Sequence, residues 1–158
     1  MAQYAAIPVA SNEKVEVAVA NGLKTVLQVK PVTKDLIVTG WSISADGSAA
    51  GAPIEVELID TDVAATVTAL TPILWENEDA VAALAVGGTT ATGYNASAEG
   101  SIAASRILDI CELRPDGGLY AIWFPRPPKV AAGRFLRIRT RYTATTPNVL
   151  PGIWFDEV

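Results

Sequence analysis

The chain has 158 residues and a mass of 16.6 kDa; half its residues are hydrophobic, 18% are charged, and the formal net charge is −5. That is the size of one ordinary domain with a real core, so disorder along the whole length is excluded. The acidic balance argues against a general nucleic-acid or anionic-membrane binder, and a single cysteine, Cys111, rules out an internal disulfide.

The start, Met1-Ala2-Gln3-Tyr4, has neither the basic nor the long apolar region of a secretion signal. No stretch approaches the ~20 apolar residues of a membrane span. Residues 1–12 read as an N-terminal arm in which Tyr4 and Ile7 order on a neighbour, with an ordinary edge strand or a frayed terminus as the alternative. A single domain follows over 13–158.

Period-two alternation dominates from there, and helical periodicity is nearly absent. Val15, Val17 and Val19 alternate with Glu16 and Ala18; Leu23, Thr25, Leu27 and Val29 alternate with Lys24, Val26 and Gln28. Asn21-Gly22 between these runs is a hairpin signal. A three-residue loop over 20–22, with Gly22 left-handed in a bulge, brings the two apolar rows onto one face. If it is not a hairpin, the two strands lie in different sheets.

A third strand spans about 36–45, with Ile37, Trp41 and Ile43 inward and Ser42 and Ser44 outward. Asp46-Gly47 then opens a Gly/Ala/Ser loop that Pro53 closes. Ile54 to Leu58 alternates cleanly, and 65–69 is a shorter strand. Residues 76–86 fit one or two helical turns, since their acids suit an N-terminal dipole end. The Gly-, Thr-, Ala- and Ser-rich run from Gly87 to Gly100, which contains Tyr94, reads as one long loop; loops of this length tend to be functional. Strands resume at about 105–113, 119–124, 134–143 and 152–157, and Pro125, Pro127 and Pro128 break the chain before the penultimate one. Many short strands without alternating helices predict an all-β fold, an antiparallel β-sandwich of jelly-roll type with at most one short helix. A closed barrel is the alternative.

Chemistry is conspicuous by its gaps. There is no histidine, which removes the Ser-His-Asp and Cys-His arrangements and the His-containing zinc sites. No phosphate-binding glycine motif or nucleophile elbow occurs. Glu55 and Glu57 share one strand face roughly 7 Å apart, a spacing open to paired glycosidase carboxylates, but alternating Glu is ordinary on a solvated sheet. Asp60 and Asp62 offer oxygens for calcium, although capping of a turn explains them as well. Cys111, in an apolar run, reads as a small buried residue. The sequence therefore predicts no catalytic residue, metal or cofactor.

Binding candidates are clearer. Residues 1–100 hold four Lys, no Arg and twelve acids (−8), whereas residues 101–158 hold seven Arg, one Lys and five acids (+3). Strand alternation places Arg137, Arg139 and Arg141 together on one face, opposite Leu136, Ile138, Thr140 and Tyr142. Such a row either pairs across strands, with Glu55 and Glu57 as partners, or forms a docking stripe for an acidic surface. Trp75, Trp123 and Trp154 could form a sugar-stacking platform, but the apolar neighbours of Trp123 and Trp154 predict core packing, leaving Trp75 as the exposed anchor.

Five short runs form a set along the chain, namely Leu27-Gln28-Val29-Lys30-Pro31, Gly40-Trp41-Ser42-Ile43-Ser44, Pro53-Ile54-Glu55-Val56-Glu57-Leu58, Gly133-Arg134-Phe135-Leu136-Arg137-Ile138-Arg139 and Pro151-Gly152-Ile153-Trp154-Phe155. In order and character they resemble the small β-sandwich decoration (cement) proteins encoded among the head genes of tailed bacteriophages. The resemblance implies a non-enzymatic virion structural protein, made in the host bacterial cytoplasm, that binds the outer surface of the major capsid protein shell and stabilises it. It also implies a homo-oligomer, a trimer being favoured, with many repeated contacts supplying the affinity. It carries over no functional residue. A carbohydrate-binding module and a tail or host-recognition component are the alternative functions.

Overall fold

In the computed structural model, residues 2–47, 51–76 and 81–158 are described. The first strands are β1 (Gln3–Ala6), β2 (Val9–Ala10), β3 (Glu13–Lys14), β4 (Val17–Ala18) and β5 (Gly22–Val29). Next come β6 (Leu36–Ala45), β7 (Ile54–Thr61), β8 (Thr66–Ala69), β9 (Ile73–Leu74) and β10 (Gly93–Ala98). The last are β11 (Ser105–Leu113), β12 (Leu119–Trp123), β13 (Lys129–Val130), β14 (Phe135–Tyr142) and β15 (Asn148–Glu157). No helix occurs among the described residues.

The first sheet has the order β12-β6-β15-β1-β9, with β13 continuing alongside β6 and β4 alongside β15. The second has the order β11-β7-β14-β5-β10-β8. Every pair is antiparallel. The connectivity is that of one long ribbon rolled up. Its paired strands are β4 with β15, β5 with β14, β6 with β12 and β7 with β11. Each sequential couple (β4–β5, β6–β7, β11–β12, β14–β15) is split between the sheets. This is a jelly-roll sandwich. Its core is filled from both inner faces, by Trp41, Ile43, Ile153 and Phe155 of the first sheet and Leu27, Leu58, Leu136 and Ile138 of the second.

Four sequence expectations change here. Asn21-Gly22 does not close a hairpin: β4 pairs with β15, β5 pairs with β14, and Gly22 (φ +106°) turns the chain from one sheet into the other. A bulge beside Val26 then reverses the parity of β5. Leu27 and Val29 therefore face the core, while Thr25 and Gln28 face outward beneath later loops. Residues 1–12 are not a free arm, because β1 is clasped between β15 and β9. Tyr4 is buried there, stacked on Phe155 at 5.7 Å and donating its hydroxyl hydrogen bond to the Val81 carbonyl. Residues 9–14 form a small hairpin whose turn residues, Ser11 and Asn12, are both left-handed, as a type I′ turn requires.

The run 87–100 is not one loop. Its middle is β10, which bridges β5 and β8 and buries Tyr94. Its small residues mask the alternation, and Gly93 sits so close to Thr68 and Val67 that no side chain would fit. Of the expected helical turn over 76–86, residues 77–80 lie outside the described residues, and 81–86 carry no helix.

The first sheet ends on β12 and β9 and the second on β11 and β8, and these edges are guarded differently. On one side β9 extends the first sheet, and β10 with β8 extends the second. On the other side β11 is an edge strand interrupted by a bulge at Leu108. Next to it, the Asp109 carboxylate accepts hydrogen bonds from Trp41 Nε1 (3.0 Å), the Tyr120 hydroxyl (2.8 Å) and the Ile110 N–H (2.9 Å). A bulge and a carboxylate that occupies an edge N–H are devices that discourage strand addition.

Candidate functional site: a tryptophan ridge on the first sheet

On the outer face of the first sheet, Trp123 of β12, Gly40 of β6, Trp154 of β15, Ala5 of β1 and Ile73 of β9 stand in register. Trp75, just past β9, anchors its N–H on the Gln3 carbonyl and turns its ring to the same place. The three indoles make one ridge. Trp123 lies 5.3 Å from Trp154 at an interplanar angle of 51°, and Trp75 lies 5.5 Å from Trp154 at 78°. Trp123 is 56% exposed and Trp75 49%, with Trp154 half-buried between them. The expectation that Trp123 and Trp154 pack in the core is thus corrected: Tyr120, Ile122, Ile153 and Phe155 turn inward and leave both tryptophans outside.

Two glycines make room for the ridge. A Cβ on Gly40 would lie 2.6 Å from Cε3 of Trp123 and 2.8 Å from the Ile122 carbonyl oxygen. A Cβ on Gly152 would lie 3.0 Å from Cη2 of Trp154. Because the Ile122 oxygen is backbone and cannot yield, Gly40→Ala is expected to cost about 1–3 kcal/mol, as overpacking does. It should also lift Trp123 off the sheet, which a denaturant midpoint and a red-shifted tryptophan emission would report together. Trp154 Nε1 is buried and has no hydrogen-bond partner among the described residues, a state that costs stability.

The rows beside the ridge are almost free of charge. Ala121, Ser42 and Gly152 come next, then Leu119, Ser44 and Leu150, with Leu119 73% exposed. On the other side Asp156 stands opposite Gln3 and Ile37, and Lys129 of β13 continues that row on the far side of Ile37. The Asp156 pKa is raised, first by burial and then by nearby Glu76. Large exposed aromatics without charges mark the centre of an interface rather than ordinary surface.

The outer face of the second sheet is the opposite in character. Arg139 donates to Glu57 at 2.7 Å and Arg141 approaches Glu55 at 3.5 Å, so cross-strand pairing with these two glutamates is what the register produces. Arg137 is fully buried. Loops have folded over it: its guanidinium donates to the carbonyls of Val63 and Glu99 and pairs with the Glu99 carboxylate at 3.3 Å. Burial lowers its pKa. Of the three arginines, Arg141 is exposed and Arg139 largely covered.

A groove of about 490 Å³ between these charges is lined by Leu23, Glu55, Glu57, Ile110, Cys111 and Glu112. The Cys111 thiol is pushed up to about 12 by burial and then by Asp109, which keeps it from acting as a nucleophile. Glu55 and Glu57 are both taken up by arginines. Asp60 is buried between Arg106 and Arg134, and Asp62 accepts the Ala104 N–H. No group of three or more potential metal ligands occurs among the described residues.

Of the other residues singled out in the sequence, Tyr4 and Tyr94 are core, Ile7 is half-buried, and only Trp75 joins the ridge. The ridge's other members lie in strands apolar on both faces, and the structure alone shows which way they turn. Trp154 shares its strand face with Asp156, and Trp123 opposes the inward Tyr120 and Ile122. No protein family matches this chain, and no curated protein or solved structure matches it either.

Proposed function

We propose that this protein is a non-enzymatic structural protein of the virion, a decoration protein that binds the outside of a major capsid protein shell and stabilises it. The observation that supports this reading best is the uncharged tryptophan face, a surface suited to protein contact on a chain without histidine. The rings stand tilted and edge-on to one another, so they form a raised apolar ridge rather than a level platform. Jelly rolls serve in viral coats and in lectins alike, and fold alone does not choose a function. The resemblance to phage decoration proteins supplies the choice of partner.

The test is reconstitution. Purified protein added to shells of its own virus that lack it should co-sediment saturably and raise their disruption temperature, and Trp75→Ala with Trp123→Ala should weaken that binding. Absence of binding to such shells disposes of the reading. Carbohydrate binding is the second reading, supported by three indoles in one row, since aromatic faces stack on sugars. A glycan screen followed by tryptophan fluorescence decides it, with binding lost in Trp75→Ala as the supporting result.

A further inference from the structure

We propose that a second copy of this chain adds to the first sheet at its β12 edge, the two β12 strands pairing antiparallel about a two-fold axis at Ala121. At the margins of the sheets only β8, β11 and β12 are long enough to template another strand, since β2, β3, β4, β9 and β13 have two residues each. At β11 the Leu108 bulge interrupts the edge and the Asp109 carboxylate holds the Ile110 N–H. At β8 the Val67 N–H already donates to the carbonyl of Thr89, which lies outside β10, at 2.8 Å. β12 carries no such device. Its sequence, Leu119-Tyr120-Ala121-Ile122-Trp123, holds no charge, proline or glycine. Its ladder to β6 runs without a register shift, and no strand pairs its other side among the described residues. An apolar, regular, unguarded edge is a template for strand addition.

The bonds that flank this ladder fix which groups are free. The Gly118 carbonyl accepts the Ala45 N–H and the Phe124 N–H donates to the Thr39 carbonyl, both at 2.9 Å. Tyr120 and Ile122 between them therefore exchange bonds with Ile43 and Trp41. The N–H and C=O groups of Leu119, Ala121 and Trp123 point the other way, off the edge. Beyond them the run ends at left-handed Gly117 on one side and, past Phe124, at Pro125-Arg126-Pro127 on the other, where Pro125 has no N–H to offer. Three bonding residues spaced evenly about Ala121 are their own complement. Against a second β12, Ala121 meets Ala121, each Leu119 meets the Trp123 of the other copy, and every outward N–H finds a carbonyl. That register also covers Leu119 (73% exposed) with Trp123 (56% exposed), an aliphatic–aromatic pair made twice, and brings no charge to the axis. The edge thus matches itself in both backbone and side chains, which selects a second copy as its occupant. β11 does not stand in the way: Asp109 reaches both Trp41 and Tyr120, so β11 lies over β6 and β12 rather than beyond them. The tryptophan face stays open, because the contact is along an edge. The row Trp123, Gly40 and Trp154 of one copy runs on into Leu119, Ser44 and Leu150 of the other, joining two apolar faces into one.

This goes beyond the virion reading and is tested without shells. Sedimentation equilibrium of the intact chain should give a concentration-dependent dimer. In that dimer, amide hydrogen exchange should slow at Leu119, Ala121 and Trp123, and dilution to monomer should restore it. Ala121 is exposed, so Ala121→Lys and Ala121→Glu should each leave the thermal midpoint of the dilute protein unchanged. Each should raise the dissociation constant of its dimer about tenfold or more, since like charges then meet on the axis. An equimolar mixture of the two variants should recover the dimer, because the charges on the axis become opposite. The exchange measurement on the parent protein needs no variant and decides the matter if either substitution upsets folding. A wild-type monomer at every concentration, a trimer, a dimer whose three amides exchange as in the monomer, or one indifferent to both substitutions overturns the proposal. A dimer that fails to bind shells leaves this inference standing and removes only the decoration role.

Discussion

Replacing Glu99 with alanine is expected to cost about 3–5 kcal/mol of folding stability, the range found when one partner of a buried ion pair is removed. Glu99 is a loop residue on the edge of β10, but its carboxylate works inside. It pairs with Arg137, accepts the Thr25 hydroxyl at 2.6 Å and accepts the Thr25 N–H. Without it, a fully buried guanidinium keeps two carbonyl acceptors but loses its paired carboxylate, with only the more distant Asp62 attracting it, while its Nε has no hydrogen-bond partner among the described residues. The loop at 62–65 and the segments flanking β10 are fastened to the second sheet at this point and at Gln28, whose amide bonds Ala65 and Ala91. Arg137→Met combined with Glu99→Gln should recover much of the loss, because an apolar replacement of similar shape removes the stranded charge. The urea midpoint is the measurement, and high salt should change it little, since buried pairs are weakly screened. A cost under about 1 kcal/mol, typical of an exposed pair, would show that Glu99 does not hold this roof.

Strand parity was legible wherever one face of a strand is polar. In β7 and β14 the rule places Glu55, Glu57, Arg139 and Arg141 on one face, and the antiparallel register makes them partners. The same rule placed Arg137 outward correctly, yet gave no sign that loops from elsewhere would bury it. Parity is silent where both faces of a strand are apolar. Leu119 to Trp123 and Ile153 to Phe155 contain few polar residues, so the outward turn of two tryptophans was masked by hydrophobicity that ordinarily means core. Gly40 and Asp156 were the available signals, one a gap for a ring and the other an outward marker. Asn21-Gly22 misled for another reason: a tight left-handed turn fixes the local reversal but not the sheet in which the next strand settles. In a rolled ribbon each sequential couple is split, so the strongest hairpin signal in the sequence marks a crossing between sheets.

Charge distribution gained its meaning only in three dimensions. The acidic first hundred residues and the arginine-rich remainder interleave in the second sheet, where β7 and β14 are neighbours. Asp60, Glu57, Glu55 and Glu99 take up Arg134, Arg139, Arg141 and Arg137 in turn. Most of the basic excess is therefore consumed within the subunit. Arg126 is left at the end of the tryptophan ridge, and the two faces of the sandwich become chemically distinct.

The second large effect is expected at Asp109. Asp109→Ala removes the acceptor for the buried Trp41 indole N–H and for the Tyr120 hydroxyl, and an unsatisfied buried donor costs about 1–3 kcal/mol. With both donors affected and the Trp41–Tyr120 contact (5.1 Å) loosened, the expected loss is about 2–4 kcal/mol on that scale. The substitution also frees the Ile110 N–H at an edge whose outward residues, Ile107 and Ile110, are already exposed. Stability should fall and self-association through β11 should rise together, a pairing that a purely structural lesion in the core would not give. Asp109→Asn keeps an acceptor oxygen and should recover part of both. The clamp also has a pH signature. Tyr120 is pushed up to about 12, first by burial and then by its hydrogen bond to Asp109, from an ordinary value of 10.0. The folded state thus holds this proton more tightly than the unfolded chain, so the contribution is complete below pH 10 and is lost as pH rises toward 12. Tyr120→Phe should remove that share of the alkaline slope, and Asp109→Ala should reduce it, leaving the part due to burial. Thermal midpoints of the three proteins between about pH 8 and pH 12, with light scattering at each, would separate lost packing from an opened edge. An Asp109→Ala protein as stable and as monomeric as the parent would remove the clamp from the account of why β11 accepts no further strand.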